Sequence, residues 1–189
     1  GFVLGACTSQ TSTVQTTEKG TQWEWQNGTI VVKTPERPAG QKSVLGLTTP
    51  KLEAVRVGFV GLGMRGPGAV ERFTYIPGTQ VVALCDYEEA RADKCQELLK
   101  KASMPKAAVY SGDKGYEELC KRDDIDLVYI AADWLHHFPV AKCALENGKN
   151  VAIEVPSAMN LQECWDLINL SESTRKHCFI LENLSLIHI

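Results

Sequence analysis

The amino-acid sequence predicts an α/β fold, a doubly wound parallel sheet, and three observations carry that reading. Short apolar runs alternate with amphipathic stretches from Val55 onward, the pattern of strands and helices taking turns. The run over 127–131 is continuously apolar, as a strand buried on both faces has to be. A glycine-rich stretch, Gly61-Leu62-Gly63-Met64-Arg65-Gly66, joins the first apolar run to the first amphipathic one.

Taken in order, the first strand covers 55–60. A helix follows the glycines to about Tyr75, and Pro77-Gly78 ends it. The second strand covers 80–85. The next helix runs over about 88–102 and sets Cys95, Leu98, Leu99 and Ala102 on one face. A short strand near 108–110 and a helix near 116–121 come next. After the strand at 127–131, a helix covers about 139–146 and closes at Asn147-Gly148. The fifth strand is 151–153. The helix over about 161–175 has Asn160 as N-cap, with Glu163 at capping-box spacing. Its expected buried stripe is Leu161, Cys164, Trp165 and Ile168. The strand at 178–181 is the sixth.

The 189 residues are enough for one domain with a real core. A hydrophobic share of 44%, a charged share of 23% and a formal net charge of -3 offer neither a basic footprint for nucleic acid nor a polybasic membrane patch. None of the seven cysteines forms a C-x-x-C pair, and Cys85, Cys95, Cys120, Cys143, Cys164 and Cys178 read as small core hydrophobes. Cys7 stands apart. Val3-Leu4-Gly5-Ala6 before it looks like the end of a bacterial lipoprotein signal, which would make residues 1–7 a truncated signal and Cys7 a lipidated membrane attachment point. The expected location is then the cell envelope. Residues 8–52, rich in Ser, Thr, Gln, Gly and Pro, read as a linker or wrapping arm, interrupted by Trp23 and Trp25 in a short strand running to Val32. The nucleotide-binding domain is expected over 53–183.

The glycine stretch has the setting its chemistry needs, directly after a strand and opening a helix. Gly61 permits the tight turn, Gly63 lets the backbone approach a pyrophosphate, and Gly66 allows close packing. Exposed N–H groups and the helix dipole then hold phosphate. Asp86 ends the second strand, 20 residues after Gly66, where an acid receives ribose hydroxyls and repels a 2′-phosphate. The expected cofactor is therefore NAD rather than NADP. The other strands run into Asp133-Trp134-Leu135-His136-His137, Glu154-Val155-Pro156 and Glu182-Asn183 at their carboxyl ends, where ligands of open sheets bind. On the residues alone, the two histidines read equally as loop residues and Glu154 as a turn cap. No metal site is expected.

The glycine loop, Asp86, the stretch Glu146-Asn147-Gly148-Lys149-Asn150-Val151 and Glu154-x-Pro156 resemble the Gfo/Idh/MocA oxidoreductase family. Members usually carry Glu-Lys-Pro, where Val155 replaces the lysine here, and many have Thr-Pro where Ala132-Asp133 stand. Both departures match a subgroup. Residues 61–66, Trp134 to His137, Glu154-Val155-Pro156, Leu181-Glu182-Asn183 and the upstream Arg37-Pro38-Ala39-Gly40-Gln41 and Val44-Leu45-Gly46-Leu47 look like glycoside hydrolase family 109. The resemblance covers about 36–183. Residues 184–189 do not resemble the family.

That resemblance implies the NAD-binding half of an exported, NAD-dependent α-N-acetylgalactosaminidase. It implies an NAD site lined by Gly61, Gly63, Met64, Arg65, Gly66, Asp86, Trp134, Leu135, His136, His137, Glu154, Val155 and Asn183, with His137 singled out over His136 by its spacing from Glu154. It implies a reaction by C3 oxidation, C1–C2 elimination, water addition and re-reduction. Catalytic residues, and an α/β substrate domain that completes an oligomer-forming enzyme, would lie beyond this stretch. The alternatives are an NAD-dependent sugar dehydrogenase and a non-catalytic dinucleotide-binding module.

Overall fold

The computed structural model describes residues 15–16, 22–32 and 35–182, so Cys7, Asn183 and the segments 1–7 and 184–189 lie outside the described residues. The chain divides into two units, residues 1–37 and 38–189. In the first, β1 (Gln15–Thr16), β2 (Gln22–Gln26) and β3 (Thr29–Val32) form an antiparallel sheet in that order. The single strand expected to run on to Val32 is thus folded back on itself. Asn27 and Gly28 both have positive φ, 51° and 78°, which is the demand of the tight hairpin turn that Asn-Gly satisfies best. Trp23 and Trp25 meet edge to face at 6.5 Å.

The second unit is a six-stranded parallel sheet. Its strands are β4 (Val55–Val60), β5 (Thr79–Asp86), β6 (Ala108–Ser111), β7 (Leu127–Ile130), β8 (Asn150–Glu154) and β9 (Cys178–Leu181). They lie in the order β6-β5-β4-β7-β8-β9. The helices between them are α1 (Gly66–Phe73), α2 (Glu89–Lys101), α3 (Gly115–Cys120), α4 (Trp134–Glu146) and α5 (Leu161–Thr174). The expected doubly wound fold is therefore present. The chain winds outward from β4 in one direction, then crosses back to β7, leaving a switch point between β4 and β7 where ligands of such sheets bind.

Alternate strand residues serve opposite faces, as a pleated strand requires. Val57, Phe59, Val81 and Tyr129 pack under α1 and α2, against Ala69, Val70, Cys95 and Leu99. Val60, Ala83, Val128, Ile130 and Ile153 pack under α3 and α4, against Leu119, Val140 and Leu145. Both faces being covered explains why these strands read as near-continuous apolar runs. Burial pushes the Cys85 thiol up to about 12 and the Cys95 thiol to about 11, so both stay protonated and inert.

Two expectations about this unit are corrected. First, α4 begins at Trp134, not near Pro139. Asp133 caps it, its carboxylate accepting from the Leu135 N–H at 3.0 Å, and Pro139 lies inside the helix. The missing N–H of Pro139 frees the Leu135 carbonyl, which is tolerable because Leu135 sits at an exposed turn. Second, Asn160 caps α5 by accepting from the Glu163 N–H, but the buried face of that helix is Leu167, Ser171 and Glu172. Leu161, Cys164 and Ile168 are exposed and Trp165 is half-buried, so Cys164 is not a core residue. The helix carries two apolar arcs, and periodicity alone does not say which one meets the sheet. Residues 38–43, within the stretch read as a linker or wrapping arm, run along α5. Gln41 donates to Asn169 at 3.0 Å and Glu172 at 2.8 Å, and Arg175 donates to the carbonyls of Lys42 and Ser43.

At the amino ends of β4 and β7, Arg56 donates to both carboxylate oxygens of Asp126, at 2.9 and 2.7 Å, and the Arg56 N–H donates to the same group. Hydrogen bonding to Arg56 outweighs burial and holds the Asp126 carboxyl below its ordinary value. A carboxyl depressed on folding contributes stability that is full above its unfolded value of about 4 and is lost as pH falls through the folded value. Asp126→Asn is accordingly expected to lower the urea midpoint at pH 7, with the difference shrinking below pH ~4. Equal midpoints at neutral pH would contradict this.

Candidate functional site

β4 ends at Val60 and the chain turns at Gly61, whose N–H donates to the Cys85 carbonyl at 2.9 Å. Gly61 has φ +90°, and a Cβ there would sit 2.3 Å from the Ala132 nitrogen and 2.4 Å from the Ala131 carbonyl carbon. The turn lies directly against the chain leaving β7, so the switch point is closed by bare backbone. Gly66, first in α1, would place a Cβ 2.1 Å from the Gly61 oxygen. It therefore serves the packing of loop on helix. Gly63 is different, since a Cβ there would meet only Arg91 Nη1, at 3.7 Å. Its free side faces the cleft and leaves room for a ligand to approach the backbone. The N-cap of α1 is Arg65, with no side-chain cap bond, and Pro67 occupies the first turn. The N–H groups of this end and the positive end of the dipole suit an anion.

Asp86 closes β5 and is buried. One carboxylate oxygen accepts from the Leu62 N–H at 2.6 Å, and the other from the Glu88 N–H at 3.0 Å and Arg91 Nη1 at 3.3 Å. The acid thus ties the glycine loop to the start of α2.

Across the switch point lies the first turn of α4. Asp133 accepts from His136 Nδ1 at 2.6 Å. Burial raises the Asp133 carboxyl, but the His136 ring and the local N–H groups outweigh it and hold the group below its ordinary value. His137 is 1% exposed, and its Nδ1 lies 2.7 Å from the Pro156 carbonyl oxygen. A carbonyl only accepts, so Nδ1 donates to it, and in the neutral ring Nε2 is then the acceptor. That Nε2 is the one buried side-chain nitrogen or oxygen, among the described residues, without a hydrogen-bond partner. Its environment supplies an acceptor with nothing yet donating to it. The Val155–Pro156 peptide is cis.

Glu154, at the end of β8, accepts from the Tyr129 hydroxyl at 2.7 Å. Tyr129 was not singled out from the sequence. Burial and the neighbouring Glu154 push its hydroxyl up to about 12, against a smaller opposing pull from Arg72. It therefore remains a donor and fixes the Glu154 carboxylate. The only local signal was a phenol in an otherwise apolar strand.

These elements enclose one cleft of about 740 Å³ over the carboxyl ends of β4, β5, β7 and β8. Gly61, Gly63, Met64, Arg65 and Asp86 line one side. Trp134, His136, His137, Glu154 and Val155 line the other. Gly66 and Leu135 do not line it. Gly66 acts behind the loop, and the Leu135 side chain is 74% exposed at the rim. Arg91 and Asp113, absent from the expected set, do line it. A nucleotide fits on two independent grounds: the backbone cradle that glycines 61, 63 and 66 keep open, and the unpartnered acceptor on His137.

The sequence model of an oxidoreductase family with an NAD-binding Rossmann fold, Gfo/Idh/MocA, matches residues 55–181. A protein named glycosyl hydrolase family 109 protein 4, from Phocaeicola vulgatus, is 83% identical over 96% of this chain, which spans 35% of that relative. Biliverdin reductase from a Synechocystis species, solved with biliverdin and NADP+, superposes with TM-score 0.59 at 27% identity, over 70% of this chain and 39% of its own. Myo-inositol dehydrogenase from Lactobacillus casei, solved with NAD(H) and myo-inositol, gives TM-score 0.56 at 25% identity, over 64% of this chain and 34% of its own. The chain therefore spans about a third of the length of these proteins.

Proposed function

The chain belongs to the Gfo/Idh/MocA oxidoreductase family, and from that membership we propose that it is the NAD-binding part of a glycosidase that cleaves α-N-acetylgalactosaminides. The observation that carries this reading is Val155. It lines the cleft beside Glu154, an apolar side chain where the family's dehydrogenases usually carry lysine. That departure from the family's dehydrogenases is one the chain shares with the glycosidase subgroup it resembles. The high identity to a protein named for a glycosyl hydrolase family points the same way.

In this reading the N–H groups of the glycine loop and of the first turn of α1 receive the pyrophosphate. Asp86 receives the adenosine ribose hydroxyls. His137, its tautomer fixed by the Pro156 carbonyl, accepts from a hydroxyl on the nicotinamide side through Nε2. Glu154, held by Tyr129, takes a second hydroxyl there. Met64, Arg65, Trp134 and Val155 line the cleft, with His136 at the edge. When bound, NAD supplies a reversible hydride acceptor for C3 of the sugar. A C3 ketone acidifies the C2 hydrogen, because the carbanion left is an enolate, and a base in the longer protein, by the family resemblance a Tyr or His beyond this chain, takes that proton. Loss of the C1 oxygen substituent, addition of water and re-reduction at C3 then complete a hydrolysis. This route differs from the usual pair of flanking carboxylates.

Substrate deuterated at C2, given to the complete enzyme, is expected to lose its label to solvent while no reduced cofactor accumulates. Retention of deuterium in the product would exclude elimination. Stoichiometric build-up of NADH would favour the sugar-dehydrogenase reading, which the myo-inositol dehydrogenase likeness keeps in view. Tight NAD binding with neither outcome in the complete protein would leave a dinucleotide-binding module.

A further inference from the structure

We propose that Arg91 is a latent 2′-phosphate site, a guanidinium silenced by the Asp86 carboxylate that becomes available to a 2′-phosphate once that carboxylate is uncharged. The inference rests on the reading of the cleft as an NAD site. Arg91 lies in the first turn of α2 and lines the cleft. Its Nη1 is 3.3 Å from Asp86 and its Nη2 is 3.1 Å from Glu88. The same Nη1 is the nearest side-chain atom to the open side of Gly63, where an added Cβ would lie 3.7 Å from it. The guanidinium therefore bridges the acid expected to receive the ribose and the loop expected to receive the pyrophosphate. Any group carried on the ribose 2′-oxygen comes within its reach.

The hold on Arg91 is loose. Strong arginine–carboxylate pairs are bidentate, with contacts of about 2.7–2.9 Å. Here one longer contact goes to each of two acids, and the side chain is 42% exposed. Exposed pairs of this kind contribute little and rearrange readily. Asp86 is fixed by comparison, buried and committed to the Leu62 and Glu88 N–H groups. The carboxylate keeps a 2′-phosphate out and ties up the cation that would welcome it. Removing its charge reverses both effects at once.

The test is a double-mutant cycle read by calorimetric titration of the full chain with NAD and with NADP. The proteins are the native chain, Asp86→Asn, Arg91→Ala and the double variant, each checked for folding by circular dichroism. Asp86→Asn keeps the shape and one acceptor oxygen. It is expected to weaken NAD and to tighten NADP about tenfold or more, the scale of one charge-assisted hydrogen bond. Arg91→Ala in the Asp86→Asn background is expected to abolish that gain. The NADP affinity of Asp86→Asn should also fall steeply with added salt. Equal effects of Arg91→Ala on NADP binding in both backgrounds would overturn the proposal while leaving the NAD site standing. Failure of the native chain to bind NAD, with no variant binding NADP, would overturn the cofactor reading itself. Should Asp86→Asn not fold, the native chain and Arg91→Ala at low salt decide. NADP has to weaken at least about threefold more than NAD on losing the cation, because Asp86 is then unscreened. Equal weakening overturns the proposal.

Discussion

Replacing Gly61 with alanine is expected to destabilise the domain by about 3–5 kcal/mol and to eliminate measurable NAD binding. The added Cβ would sit 2.3 Å from the Ala132 nitrogen and 2.5 Å from the Ala131 oxygen. Both are backbone atoms, so no side chain can rotate away. The φ of +90° is one that an alanine adopts only with strain. Relief by movement is blocked on both sides. The Gly61 N–H donates to Cys85 in β5 at 2.9 Å, and the Ala131 N–H donates to Val60 in β4 at 2.8 Å. Separating the turn from β7 would therefore break the sheet at the switch point, where the cofactor is expected to sit. Gly63→Ala supplies the contrast. Its Cβ would meet only Arg91 Nη1 at an ordinary 3.7 Å, so the protein should keep nearly its full stability. It should still bind NAD more weakly, because the methyl takes space the pyrophosphate needs. Urea unfolding together with NAD titration separates the two. Native-like stability in Gly61→Ala would refute the packing argument, and unchanged NAD affinity in Gly63→Ala would refute the assignment of its open face.

The contrast between those two glycines also shows what the sequence could reveal. The motif spacing identified the loop, and apolar runs located all six strands of the parallel sheet, most sharply the central ones, where burial on both faces leaves a signature in each strand separately. Elements whose identity depends on competition between signals were misread. Pro139 reads as a helix start, yet the Asp133 cap six residues earlier prevails and brings Trp134 to His137 onto a helix. The exposed arc of α5 is as apolar as its buried one. Residues that act across the sheet left no local trace. Tyr129 reaches Glu154 only because β7 pairs with β8 in the register that sets Tyr129 beside Ala152. The bond from Leu62 to Asp86 spans 24 positions. His136 and His137 are adjacent in sequence, but the helix turns one to the exposed rim and buries the other against Pro156. The spacing from Glu154 that the family resemblance supplies picks out His137, and the helix gives the physical reason for it.

The 189-residue chain is expected to bind NAD and yet to hydrolyse no aryl α-N-acetylgalactosaminide at a detectable rate. Glycosidic cleavage requires the sugar to be held with C3 against the hydride acceptor and C2 against a base. Such positioning supplies about 7–11 kcal/mol of a barrier, or roughly five to eight powers of ten in rate. Here the rim of the cleft is open. Met64 is 96% exposed, Leu135 74% and Trp134 61%, and among the described residues nothing stands over them to hold a sugar. The relatives of matching sequence are about three times as long, this chain spanning 35% of the one at 83% identity. A second surface bears on the same point. Leu161 and Ile168 on α5, and Phe179 and Ile180 on the edge strand β9, are 43–57% exposed. Exposed apolar side chains of this size favour association when they are left uncovered. The chain should therefore sediment in part as dimers or larger species, while a well-behaved monomer would count against that reading of the face. The activity assay has to be run on a preparation whose NAD binding is confirmed by titration, so that a null result reports missing substrate positioning rather than misfolding. Release of the aryl group by such a preparation would show that the cleft positions the sugar unaided, and would move the acid–base groups of the reaction onto this chain, with the Asp133–His136 pair at the rim as first candidates.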